Sequence, residues 1–287
     1  MTSGVGAKVA LGAGLYLVAT PIGSARDITL RALDILASAD VLAAEDTRTL
    51  RRLLEIHGIA LGDRVLLPYH DHNGPTQRPR ILQLLAEGKS VAYSSDAGTP
   101  MVADPGFALA RDAVAAGFDV TGAPGPVAAI AALTLSGLPT DRFAFLGFLP
   151  NAKGARRAAL QETADFPGTL VFYESPHRCS EMISDSAVVL GGDREAAVCR
   201  ELTKRFEEIR RGSLNDLAAE LDGKKLKGEI VVCIGRGTAA APVDIEGLLR
   251  DALTRMSLKD AVKAVSEAHG LKRRDVYQTA LSLEIEH

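Results

Sequence analysis

The chain has 287 residues, a net charge of −3, 47% hydrophobic and 24% charged residues, enough for two moderate domains, each with its own core. Aromatic residues make up only 5%, with no tryptophan, so extended base-stacking platforms are not expected and any surface for a polyanion has to be local. Cys179, Cys199 and Cys233 stand far apart without metal-ligand spacing and read as reduced, buried thiols. No apolar run reaches the ~18 residues a membrane span needs. Residues 1–13 lack the apolar centre of a signal peptide and read as a disordered lead, which points to a cytoplasmic protein.

LYLVAT (15–20) reads as a buried strand, followed by a helix over 30–39 with apolar Leu30, Leu33 and Leu36. VLAAED (41–46), RVLLPYH (64–70) and SVAYSSD (90–96) follow as strands, with a helical pattern over 80–87. Gly88 and Gly117 stand where helices should stop, as left-handed closing residues. Repeated βα units of this kind predict a mainly parallel sheet covered on both faces, forming a first α/β domain over 14–122. APGPVAAIAALTLSG (123–137) opens a helix with proline in its first turn and starts a second α/β domain, 123–238. FAFLGFLP (143–150), TLVFYES (169–175), EAAVCREL (195–202) and GEIVVCIG (228–235) are its strands. EEIRRGSL (207–214), short and next in sequence to its predecessor, predicts an antiparallel one. GTAAAP (237–242) marks a linker. In the tail, 243–287, Ser257 caps a helix carrying Leu258, Ala261, Val262 and Val265 on one face, Gly270 stops it, and 272–285 forms another. With 245–255 this makes three helices in a helix-turn-helix-like arrangement, where Lys272, Arg273 and Arg274 offer a basic cluster to RNA.

Ligands of open α/β sheets bind at the carboxyl ends of strands. Four loops there are richer in Gly, Pro and polar residues than a connection requires: ATPIGS (19–24), AEDTR (44–48), YHDHN (69–73) and SSDAGTPMVADPG (94–106). Asp96, ending a buried strand, is placed to accept hydrogen bonds from a ligand hydroxyl or amine. Gly98 lets backbone approach a ligand closely, while Asp104 suits capping the helix after Pro105. GxGxxG, P-loop and GxSxG patterns are absent from the sequence. His70 and His72 lack a third ligand nearby, so no metal is expected.

Together with PGPVAAIAAL, SGLPTDRFAFLGFLP, YESPHR, CRELTKRFEE and KGEIVVCIG, these loops resemble the tetrapyrrole-methylase superfamily over residues 15–235. More narrowly they resemble its bacterial branch that methylates a cytidine ribose 2′-hydroxyl in 16S rRNA. Ser24 and Val127 stand where that branch usually has asparagine and serine. The resemblance implies two α/β domains with S-adenosylmethionine in the cleft between them, held largely by backbone. Its contacts would be Thr20, Pro21, Ser95, Asp96, Ala97, Gly98, Met101, Val102, Val127, Ala128, and Phe172 or Tyr173. It also implies a homodimer and a 16S rRNA partner, met within the assembled small subunit.

Transfer to a hydroxyl needs alignment and a base or stabilising cation. Candidates are His70, His72, Glu45, Asp46, Glu174, His177 and Lys204, each also readable as a salt bridge, a cap or a phosphate contact. Arg48, Arg51, Arg52, Arg156, Arg157, Arg178, Arg200, Lys204, Arg210 and Arg211 are candidate phosphate contacts, although several sit among acids and read equally as solvated ion pairs. Two other functions remain open at this level: carbon methylation of a corrin or porphyrin precursor, and a non-catalytic RNA-binding or ribosome-assembly role. AEDTR, YHDHN, ESPHR and the basic tail stand against the former.

Overall fold

The computed structural model describes residues 6, 8–103, 106–237, 245–269 and 273–285. The chain divides into two compact units, 1–236 and 237–287.

The larger unit holds two sheets. In the first, β1 (Gly14–Val18), β2 (Val41–Ala44), β3 (Val65–Pro68), β4 (Ser90–Ser94) and β5 (Val120–Ala123) run parallel in the order β3-β2-β4-β1-β5. Strand residues alternate between two cores. Leu42 and Ala44 pack under α1 (Leu30–Ser38) and α2 (Thr47–Ile56), whereas Val41 and Ala43 pack under α3 (Gly74–Ala86) and α4 (Phe107–Ala115). Burial on both faces explains why these strands read as unbroken apolar runs. Leu33 and Leu36 are buried as expected, but Leu30, in the first turn of α1, is exposed. Helix α3 begins at Gly74, before the predicted 80–87, because Pro75 and Pro79 within it mask the pattern. Gly88 and Gly117 do close their helices at φ +79° and +81°. Residues 8–13, expected to be disordered, are held: the Val9 N–H donates to Ser38 Oγ at 2.8 Å and Leu11 packs on the first core. Asp104, the expected cap of α4, lies outside the described residues.

The second sheet comprises β6 (Phe143–Phe148), β7 (Thr169–Glu174), β8 (Glu195–Arg200), β9 (Glu208–Ser213) and β10 (Ile230–Ile234) in the order β6-β7-β10-β8-β9. Only β6 and β7 are parallel; β9 pairs antiparallel with β8 as expected, and β10 is antiparallel to both neighbours. Helix α5 (Ala128–Ser136) covers one face, with Pro126 ahead of its N-cap rather than in its first turn. Helices α6 (Lys153–Glu162), α7 (Cys179–Leu190) and α8 (Leu214–Leu221) cover the other. All three cysteines are buried and unpaired.

The smaller unit is three helices, α9 (Ile245–Leu253), α10 (Leu258–His269) and α11 (Arg273–Ile285), around Leu249, Ala261, Val262, Val265, Val276 and Ala280. Ser257 caps α10 by accepting the Asp260 N–H at 3.3 Å. Most of the expected linker, Gly270 and Lys272 lie outside the described residues. Among those described, no helix is long and apolar enough to cross a membrane.

Candidate functional site

The site grows from the ends of β1 and β4. Thr20 and Gly98 bridge through reciprocal backbone bonds of 2.9 and 3.0 Å, and Thr20 Oγ donates to the Ser95 carbonyl. A Cβ on Gly98 would meet Ile22 at 3.3 Å and the Pro126 carbonyl at 3.4 Å, in a conformation (φ +81°) that side chains disfavour. Just beyond it, Met101 and Ala103 take left-handed φ of 71° and 58°, each costing about 1–3 kcal/mol. A turn this strained persists only where its surroundings over-determine it, as functional loops do.

Between this turn and the second sheet lies a cavity of about 330 Å³. Ile22, Val102, Val127 and Ala128 form one wall; Phe148, Tyr173, Ile230 and Val231 form the other. Tyr173 packs edge-on against Phe145 and Phe148, and its hydroxyl accepts the Ala129 N–H at the start of α5. A second hollow of about 280 Å³ adjoins it, bounded by Thr20, Pro21, Thr49, Arg52, Asp96 and Lys204. The two share Ile22, Ala97 and Glu229.

Of the expected cofactor contacts, Ala97, Gly98, Val102, Val127, Ala128 and Tyr173 line the first cavity, while Thr20, Pro21 and Asp96 line the second. Ser95 is buried beneath the turn, its hydroxyl directed at the Ala97 carbonyl, and Met101 packs into the core behind. Phe172 points to the opposite face of β7, into the core under α6–α8, and of the two only Tyr173 lines the cavity.

Among the candidate bases, Glu174 lines the first cavity and Lys204 the second. Glu174 is buried; one oxygen accepts the Ser175 N–H at 2.7 Å, while the other, 3.4 Å from Arg178, makes no hydrogen bond. Lys204 donates to Glu229 at 2.6 Å and Glu201 at 2.9 Å. Burial works against its charge, but these two carboxylates hold the ammonium above the usual lysine range. Lys204 is thus a cation rather than a base.

Glu45, Asp46, His70, His72 and His177 line neither hollow. Asp46 caps α2 and forks to Arg48, whose hydrogen bonds hold its carboxyl at about 2. Asp96 accepts the Asp46 N–H, and Glu45, pushed up chiefly by burial, accepts the Asp96 N–H. These acids brace the turn from behind. His70 and His72 stack edge-on at 6.0 Å, and His177 is exposed.

The arginines divide sharply. Arg156 is 2% exposed and bonded to Asp185, Glu181 and the Asn151 carbonyl, so it is no phosphate contact. Arg157 shares Asp185, and Arg178 ties down the Leu149–Asn151 loop through its two carbonyls and the Asn151 side chain. Arg200 and Arg210 both pair with Glu208, and Arg211 bonds the last carbonyls of α5. Arg48 is exposed but forked to Asp46; Arg51 and Arg52 are exposed on α2, and Arg273 and Arg274 on α11.

Sequence reasoning passed over Glu229 and Phe148, and could not see that Glu201 and Thr203 take left-handed φ of 52° and 61°. KGEIVV reads as the run-in to a strand, and nothing local marks its glutamate.

Comparison with known proteins places the chain in a family. Residues 14–218 match the family of tetrapyrrole (corrin/porphyrin) methylases, and 239–284 match the family described as the RsmI C-terminal HTH domain. The ribosomal RNA small subunit methyltransferase I of Mesorhizobium japonicum is 46% identical, with 94% of this chain and 92% of that protein aligned. Its namesake from Halalkalibacterium halodurans is 42% identical over 92% and 93%. Among solved structures, the methyltransferase CobJ superposes with a TM-score of 0.60 at 20% identity, over 78% of this chain and 94% of that one, which speaks to the fold alone. The chain therefore belongs to the tetrapyrrole methylase family and, within it, to the group of ribosomal RNA small subunit methyltransferase I proteins.

Proposed function

We propose that this protein transfers the methyl group of S-adenosylmethionine to the ribose 2′-hydroxyl of a cytidine in 16S rRNA. The observation that carries the reading is the pair of adjoining hollows, one apolar and the other edged by Arg52 and Lys204, with a common wall across which a group can pass. The first suits the cofactor. Its volume falls within the usual range for small-molecule sites, and its rings and aliphatic walls fit an adenosyl group. When bound, S-adenosylmethionine supplies a methyl already activated on a sulfonium.

The chain's task is then alignment and exclusion of water. The strained turn at Gly98–Ala103 presents backbone to the cavity, Tyr173 fixes the start of α5, and Arg52 stands where an RNA phosphate would approach the second hollow. The name shared by the relatives weighs against the corrin and non-catalytic readings. The proposal extends to a homodimer acting in the cytoplasm on the assembled small subunit. Titration calorimetry should show S-adenosylmethionine binding, and mass spectrometry of rRNA nucleosides from a deletion strain should show loss of one 2′-O-methylcytidine. Full retention of that nucleoside would overturn the reading.

A further inference from the structure

We infer that Glu229 is the catalytic residue that takes the proton of the acceptor hydroxyl, an assignment that rests on the proposed transfer to a ribose oxygen. The methyl has to travel from the first hollow to the second, so the reacting atoms meet at the wall both share. That wall is Ile22, Ala97 and Glu229, and only Glu229 can accept a proton. Its side chain is 72% exposed, within reach of an incoming hydroxyl.

Its placement is unusually constrained. Lys204 holds one carboxylate oxygen at 2.6 Å, while the backbones of Glu201 and Glu229 pair at 2.9 Å (Glu201 N–H to Glu229 carbonyl). Glu201 Oε1 accepts both the Glu229 N–H at 3.0 Å and the Lys204 ammonium. Room for this arrangement comes from two glycines. A Cβ on Gly228 would stand 2.4 Å from the Glu201 carboxyl, and one on Gly23 would stand 2.5 Å from the Lys204 stem. The left-handed backbone at Glu201 and Thr203, and the Ser24 N–H bond to Thr203 Oγ, fix the same loop against the segment that follows β1. An exposed ion pair on an ordinary surface would need none of this.

The chemistry balances. The ribose oxygen forms its bond to the methyl carbon, and the carbon–sulfur bond breaks with its electron pair remaining on sulfur. The hydroxyl proton passes to Glu229 and from there to solvent. A hydroxyl becomes strongly acidic as its oxygen gains the methyl, so even a carboxylate paired with a lysine is base enough when transfer is late.

The test uses full-length protein, tritiated S-adenosylmethionine and small ribosomal subunits from a strain lacking this gene. Glu229→Gln keeps the shape and removes the proton acceptor. It should lower the single-turnover rate by about 10²–10⁴-fold, with calorimetric affinity for S-adenosylmethionine and filter retention of the subunits unchanged. Glu229→Ala should be equally slow, and added formate should restore part of its rate, which a merely structural role does not permit. A Glu229→Gln rate within about tenfold of the wild type would overturn the assignment, given the size of a base's contribution. So would a loss of cofactor affinity matching the loss of rate, because Glu229 would then be a binding contact. Failure of the underlying reading is separately visible, since the wild-type protein would itself neither bind S-adenosylmethionine nor label the subunits.

Discussion

Arg156 shows how a side chain's meaning depends on partners far along the chain. In KGARRAAL it reads as one of two exposed cations on a helix, yet Asp185, which meets it at 2.7 Å, lies on the next helix. Both groups are buried. Arg156→Ala would leave a buried carboxylate with one remaining arginine, and equilibrium urea unfolding should show a loss of about 3–5 kcal/mol. A loss under about 1 kcal/mol, well below the range for broken buried pairs, would return Arg156 to the surface. Its pH signature has a definite sign. Burial opposes the Asp185 charge, but Arg157 and Arg156 hold its carboxyl below the usual range. This contribution is full above the unfolded aspartate value and is lost as pH falls through the folded one; Arg156→Ala should flatten that acid limb. The same limit on local reading applies at Phe172 and Tyr173. Alternation along β7 tells that they face opposite ways, but only the packed sheet says which faces the cavity.

At the scale of elements, most of the fold was legible because burial writes itself into sequence. Strands covered on both faces appear as apolar runs, and glycines with positive φ mark the ends of helices. The direction of β10 was not legible, since an apolar run looks the same parallel or antiparallel. Nor was the loop from Glu201 to Lys204, whose shape is set by contacts with Gly23 and Gly228 rather than by its own residues. Gly23 gives this a measurable form. A Cβ there would meet Lys204 at 2.5 Å, Thr203 Oγ at 2.5 Å and the Leu202 carbonyl at 2.9 Å. The side chains can turn away, but the carbonyl is backbone and moves only with its loop. Gly23→Ala should cost about 1–3 kcal/mol by thermal or urea unfolding. It should also weaken S-adenosylmethionine binding by calorimetry, because the displaced loop borders the site. Gly154→Ala is the natural control: it lies in α6 with no heavy atom within 4 Å of the added carbon. It should leave binding unchanged and raise stability by up to about 1 kcal/mol.

Over the whole molecule, a net charge of −3 means that affinity for RNA must come from local concentrations of cations. Most arginines of the larger unit are committed to internal partners, as Arg156, Arg178, Arg200, Arg210 and Arg211 show. The helical tail differs. Lys259, Arg273 and Arg274 surround a shallow hollow beside Tyr277, with Val262 at its base. The helices themselves were legible from the Ser257 cap and the spacing of Leu258, Ala261, Val262 and Val265, whereas the meeting of Lys259 with Arg273 and Arg274 depends on how α10 packs on α11. If this hollow seats phosphate, the double variant Arg273→Gln/Arg274→Gln should weaken retention of small subunits. The dependence of log affinity on log salt should become shallower by about 0.7–0.9 for each phosphate no longer neutralised. Both side chains are exposed, so unfolding should shift by no more than about 0.5 kcal/mol, and affinity for S-adenosylmethionine should be unchanged. An unaltered salt slope would exclude the tail cations from RNA binding. The electrostatic hold would then fall to Arg51 and Arg52 on α2, where the same measurement on Arg52→Gln locates it at the edge of the second hollow.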